Sequence, residues 1–113
     1  MEMRRVVVTG LGALTPIGND VEQYWQSLVN GVSGAALITN FDASQAKTQF
    51  ACEVKGFDAT KFFDRKEVRK YDKFSQYGIV AADQAVADCG VDLEKLNKER
   101  AGVIWASGIG GII

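Results

Sequence analysis

The sequence predicts an α/β fold, and three stretches carry that prediction. Val6-Val7-Val8 is a β-branched run with no polar side that breaks at Thr9 into Gly10-Leu11-Gly12. Such a strand suits a sheet covered on both faces, the habit of parallel and mixed sheets. Ala101-Gly102-Val103-Ile104-Trp105-Ala106 repeats the plan and breaks into Ser107-Gly108-Ile109-Gly110-Gly111. Between them, Phe74, Gly78, Ala81, Ala82, Ala85 and Cys89 form one stripe of a helix, small enough to admit a sheet or a second helix at close range. The two ribbons are expected to be buried neighbours in one sheet, with glycine-rich ends open to ligands.

Composition narrows the function. With 47% apolar and 24% charged residues in 113, the chain has the makeup of a small soluble globular domain rather than a disordered one. A net charge of -1 gives no bulk attraction to nucleic acid or to a membrane surface. The basic start, Met1 to Arg5, precedes an apolar run too short for a signal peptide, and no run approaches the length of a membrane span, so an intracellular chain is expected. Cys52 and Cys89 match no metal-ligand spacing and read as reduced packing residues. Histidine is absent, which excludes Ser-His-Asp triads, Cys-His pairs and His-ligated zinc within these residues.

Taken in order, Pro16 and Gly18 forbid helix after the first glycine turn, and Asn19 or Asp20 offers an N-cap. Val21, Tyr24, Trp25, Leu28 and Val29 then fall at helical spacing, which predicts a helix from about Asp20 with these side chains in the core and Gly31 as its left-handed cap. Residues 32–42 read as a loop with an apolar plug at Ala36-Leu37-Ile38, and residues 49–54 as a short edge strand. Lys61, Arg65, Lys66, Arg69, Lys70 and Lys73 concentrate six of the thirteen basic residues. If that segment is one helix, Lys66, Arg69, Lys70 and Lys73 share a face able to attract a phosphate or an acidic partner, unless Glu67 and Asp72 neutralise it. Gly90 should cap the 74–89 helix, and residues 91–96 read as a short helical turn or a loop. The chain ends two residues after Gly111, and so reads as the beginning of a larger domain.

Gly10-Leu11-Gly12-Ala13-Leu14-Thr15 approaches a dinucleotide fingerprint but has Thr15 where Gly or Ala is wanted, followed by Pro16. A nicotinamide-binding domain is therefore an alternative of a different class. Trp105-Ala106-Ser107-Gly108-Ile109 fails the nucleophile-elbow pattern at its first position.

The strings Arg4-Arg5-Val6-Val7-Val8-Thr9-Gly10-Leu11-Gly12, Thr15-Pro16-Ile17-Gly18, Gly31-Val32-Ser33-Gly34, Asp64 to Asp72, Gln76-Tyr77-Gly78 and Ser107-Gly108-Ile109-Gly110-Gly111, with Trp25 and Phe41-Asp42, resemble the amino-terminal region of the β-ketoacyl-[acyl-carrier-protein] synthases. The resemblance covers essentially all of residues 1–113 and is closest to the synthase II type of bacterial type II fatty acid synthesis. It implies the amino-terminal part of a thiolase-like fold, a mixed sheet with packing helices, in a cytoplasmic homodimer. The implied reaction is a decarboxylative Claisen condensation, which lengthens an acyl thioester with malonyl carrier protein.

The family's nucleophilic cysteine lies in a T-A-C-[ST]-[SG] motif that this chain lacks, so the resemblance implies no catalytic residue here, and an inactive piece when alone. It implies no metal and no resident cofactor, because phosphopantetheine arrives on the carrier protein. Lys66, Arg69 and Lys70 match the family's docking patch for acyl carrier protein. Ile109, with Gly108 and Gly110, matches a segment lining the fatty-acyl pocket, where a bulky apolar side chain limits chain entry. A polyketide-type ketosynthase of the same family is the nearer alternative.

Overall fold

The elements run in the order α1 (Val21–Val29), β1 (Ala36–Leu37), β2 (Phe50–Ala51), a 3-10 turn (Ala59–Lys61), α2 (Arg65–Lys70), α3 (Lys73–Cys89) and a second 3-10 turn (Lys98–Arg100). They are seen in a computed structural model that describes residues 3–111. Met1 and Glu2, at the basic start, and Ile112 and Ile113, at the expected end, lie outside the described residues.

The caps follow from local chemistry. Asp20 accepts the Gln23 amide at 2.8 Å and so satisfies a free donor at the start of α1. At the other end Gly31, at φ 66°, donates to Leu28, and Val32 donates to Ser27. Gly90, at φ 63°, ends α3 in the same left-handed way.

Helix α3 is the element on which the rest is laid. A Cβ on Gly10 would run into the backbone of Ala85 and Cys89, and one on Gly12 into that of Ala81. A Cβ on Gly78 would stand 2.9 Å from the indole nitrogen of Trp105. The small stripe thus receives both glycine-bearing ribbons, as its residue sizes predicted. Polar side chains beside the stripe hold the first ribbon: Asp88 accepts the Leu11 amide at 2.8 Å, and Gln84 accepts the Ala13 amide at 3.0 Å. Gln84 then donates to the Asn19 carbonyl at 2.8 Å.

Six expectations are corrected, five here and the sixth below. The two ribbons form no ladder with each other: among the described residues the named strands are β1 and β2, antiparallel with Ala36 opposite Ala51 and Leu37 opposite Phe50. Nor are the ribbons buried, since Val6 is 89% and Ile104 98% exposed. A valine ribbon is buried only when both faces and edges have neighbours, and here the α3 side chains bond only the residues after it, Leu11 and Ala13. The apolar plug at Ala36-Leu37 is a strand rather than a loop, because residues 49–51 pair with it. Trp25, Leu28 and Val29 lie on the predicted stripe of α1 but are exposed, as no described segment covers that side. Cys52 is likewise exposed rather than packed, while Cys89 is half-buried; both are free thiols.

The remaining correction bears on the candidate site. Residues 61–73 are not one helix: Tyr71 turns to an extended ψ of 127°, Asp72 is the N-cap of α3, and Lys73 therefore leaves the face shared by Lys66, Arg69 and Lys70.

Candidate functional site

Helix α2 is short, and its first turn is built by a reciprocal cap. The Asp64 carboxylate accepts the amides of Lys66 and Glu67, each at 2.8 Å, and Glu67 reaches back to the Asp64 amide at 3.3 Å. Both acids nearest the cationic face are thereby engaged with backbone. Lys66, Arg69 and Lys70, at i, i+3 and i+4, are all exposed. Neither Glu67 nor Asp72 forms an ion pair with them; the ion pair found among the described residues is Lys95 with Asp92, at 3.0 Å. Lys70 lies 5.4 Å from the centre of the Tyr71 ring.

Gln76 ties this helix to α3. Its amide donates to the carbonyls of Val68 at 3.1 Å and Tyr71 at 2.8 Å, satisfying acceptors that the end of α2 leaves free. Beside it opens a cavity of about 770 Å³, whose lining includes Arg69, Lys73, Asn40, Phe57 and Tyr77. Lys73 donates to the Asn40 side chain at 2.9 Å, and Asn40 donates in turn to Glu53 at 2.8 Å. Thr39 gives Glu53 both its hydroxyl, at 2.7 Å, and its amide, and these bonds, the hydroxyl first, hold the carboxyl below its ordinary pKa. Burial, aided by the negative charge of Glu53, pushes the Tyr77 phenol up. Phe57 meets Tyr77 edge-on, with centres 5.0 Å apart, and closes the apolar side.

The glycine loop lies at the same end of α3. Gly110 and Gly111 adopt φ of 60° and 50°. Ile109 and Gly110 border a cavity of about 460 Å³ shared with Asp72, Phe74 and Tyr77. Ile109 itself is 79% exposed, so the described residues place it at an open rim. Gly108 is not part of that rim, and a Cβ there would meet nothing within 4 Å.

Two further points concern chemistry. Gly10 and Gly12 are spent on contact with α3, and the next helix begins only at Val21, after a turn in which Thr15 and Gly18 bond each other; the phosphate-cradling strand-turn-helix of a dinucleotide site is not formed here. The described residues contain no group of three or more His, Cys, Asp or Glu able to hold a metal ion, and no helix long and apolar enough to cross a membrane. Sequence reasoning missed Gln76, Gln84 and Asp88, whose roles depend on which backbone groups the fold delivers to them.

Comparison with known proteins covers the same span. The family model for the β-ketoacyl synthase N-terminal domain matches residues 3–112. A protein named 3-oxoacyl-[acyl-carrier-protein] synthase 2 from Synechocystis sp. is 48% identical over 112 residues, 99% of this chain and 27% of its own length. One of the same name from Vibrio harveyi is 49% identical over the same share. One from Staphylococcus aureus strain COL is 45% identical over 109 residues, 96% of this chain and 26% of its own. The solved ishigamide ketosynthase/chain length factor superposes with a TM-score of 0.73 at 38% identity, over 82% of this chain and 23% of that one. The chain thus spans about a quarter of the length of the relatives it matches, and shares its fold with the corresponding part of a ketosynthase. On a match that runs from residue 3 to residue 112, the chain belongs to the β-ketoacyl synthase family, within its N-terminal domain.

Proposed function

We propose that these residues are the amino-terminal part of a 3-oxoacyl-[acyl-carrier-protein] synthase with a thiolase-like mixed sheet. In that enzyme decarboxylation of malonyl carrier protein yields the carbanion that attacks an acyl thioester. Residues beyond this stretch carry the chemistry: Cys52 is exposed, Cys89 donates its thiol to the Val86 carbonyl at 3.0 Å, and the sequence has no histidine to serve as base. The enzyme is a cytoplasmic homodimer with no cofactor or metal of its own, and phosphopantetheine comes on the carrier protein.

The role of this part is to receive that carrier. The observation that carries the reading is the uncompensated face of Lys66, Arg69 and Lys70, kept free because Asp64 and Glu67 cap the helix instead. Three exposed cations at helical spacing favour an acidic helix or the phosphate of a phosphopantetheine arm. Ile109, Gly108 and Gly110 belong in this reading to the wall of the acyl pocket.

Charge reversal in the full-length enzyme tests the docking role. Lys66→Glu with Arg69→Glu should weaken binding of acyl carrier protein on the order of tenfold at low salt, and the difference should shrink as salt screens the surface. Unchanged affinity refutes the assignment. A polyketide-type ketosynthase is the second reading, favoured by the likeness to the ishigamide ketosynthase/chain length factor. Product analysis of the full-length enzyme with malonyl carrier protein and no reductase separates the two, since one should stop after a single two-carbon extension and the other should condense repeatedly.

A further inference from the structure

We propose that Phe74, with Asp72 beside it, is a positioning residue for the acyl pocket: it sets the left-handed Gly110-Gly111 turn and through it the place of Ile109. The inference rests on the reading of Ile109 as a pocket residue. Three observations lead to it. Gly110 and Gly111 hold φ of 60° and 50° in succession, a conformation that L side chains rarely adopt. A Cβ on Gly110 would stand 3.0 Å from the Phe74 ring and 3.2 Å from the Ser107 hydroxyl, so the turn is seated on that ring. A Cβ on Gly111 would stand 2.5 Å from a carboxylate oxygen of Asp72, whose side chain makes no cap bond to α3.

Phe74 and Asp72 therefore grip the turn from the first residues of α3, and Ile109 projects from the residue just before it. Ile109 is 79% exposed and, among the described residues, borders the same cavity as Phe74. The position of a side chain that gates a chain of methylenes matters at the level of one such group, worth roughly tenfold or more in discrimination. The residue that seats the turn is thus a determinant of chain length although it need not touch the acyl chain.

The test compares full-length wild type, Phe74→Ala, Ile109→Ala and the double variant by the ratio of kcat/KM for a long acyl thioester to that for a short one. A role in folding alone lowers both values together and leaves the ratio in place. Ile109→Ala and Phe74→Ala should each raise the ratio on the order of tenfold, and the double variant should raise it no further than Ile109→Ala, because Phe74 acts through Ile109. Phe74→Leu, which keeps an apolar seat, should return the ratio most of the way to wild type, and it carries the comparison if Phe74→Ala yields too little folded enzyme. A shifted ratio in Ile109→Ala with an unshifted one in both Phe74 variants overturns the inference, as do additive shifts in the double variant. An unshifted ratio in Ile109→Ala overturns the pocket reading itself.

Discussion

The side-chain amide of Gln76, 6% exposed, donates at 2.8 Å to the carbonyl of Tyr71, the residue at which α2 ends. One buried side chain thus joins the cationic helix to the helix that carries the glycine ribbons. Gln76→Leu keeps the volume and removes both donors, leaving the Val68 and Tyr71 carbonyls without their partner. The expected loss is about 1–3 kcal/mol of stability in the full-length protein, read from the urea midpoint. A midpoint within error of wild type would show that water replaces the amide at no cost.

Two glycines should differ in kind. Gly12→Ala forces a methyl against the backbone at Ala81, where little can give, and should cost about 1–3 kcal/mol or more. Gly31→Ala meets open space, and only its φ of 66° is at issue, at about 1 kcal/mol. Gly31→Asn should recover part of that loss and Gly12→Asn none, which thermal melting of the four variants checks.

The acid sensitivity of the hairpin loop should trace to Glu53. Its folded pKa lies below the ordinary 4.5, chiefly through the Thr39 hydroxyl, so its contribution is complete above that value and disappears as the pH falls through the lowered one. Wild type should therefore exceed Glu53→Gln in stability at pH 7, with the gap closing in acid. A gap of constant size from pH 7 to pH 3 would remove Glu53 as its source.

Ile109→Phe adds bulk at the rim of the glycine loop. In the full-length enzyme it should reduce turnover of long acyl chains before short ones, on the order of tenfold in the ratio. Equal losses at every length would take Ile109 out of the pocket.

Local signals were the legible ones. The α1 helix, the α3 stripe and the left-handed caps at Gly31 and Gly90 follow from spacing and from single residues, and all stand in the structure. Asp64-Arg65-Lys66-Glu67 spells a capping box, and Asp72 is a cap before a second helix; weighing those two signals would have split the basic segment and released Lys73. What spacing does not encode is who the neighbours are. Val6-Val7-Val8 and Trp25 look like core because they are apolar, yet each stands exposed where no described segment covers it. In the candidate site, the cations at Lys66, Arg69 and Lys70 were visible in the charge run. The Lys73, Asn40 and Glu53 chain was not, since residues 33 positions apart meet only in the folded molecule.

The bare flanks of the two ribbons have a practical side. Apolar and, among the described residues, without ladder partners, Val6 to Val8 and Val103 to Trp105 display main-chain donors and acceptors beside exposed apolar side chains, the combination on which foreign strands nucleate. Produced by itself in quantity, a polypeptide with two such adhesive margins should accumulate as cross-β deposits, and a chaperone or a complementary strand supplied in trans should keep it dispersed.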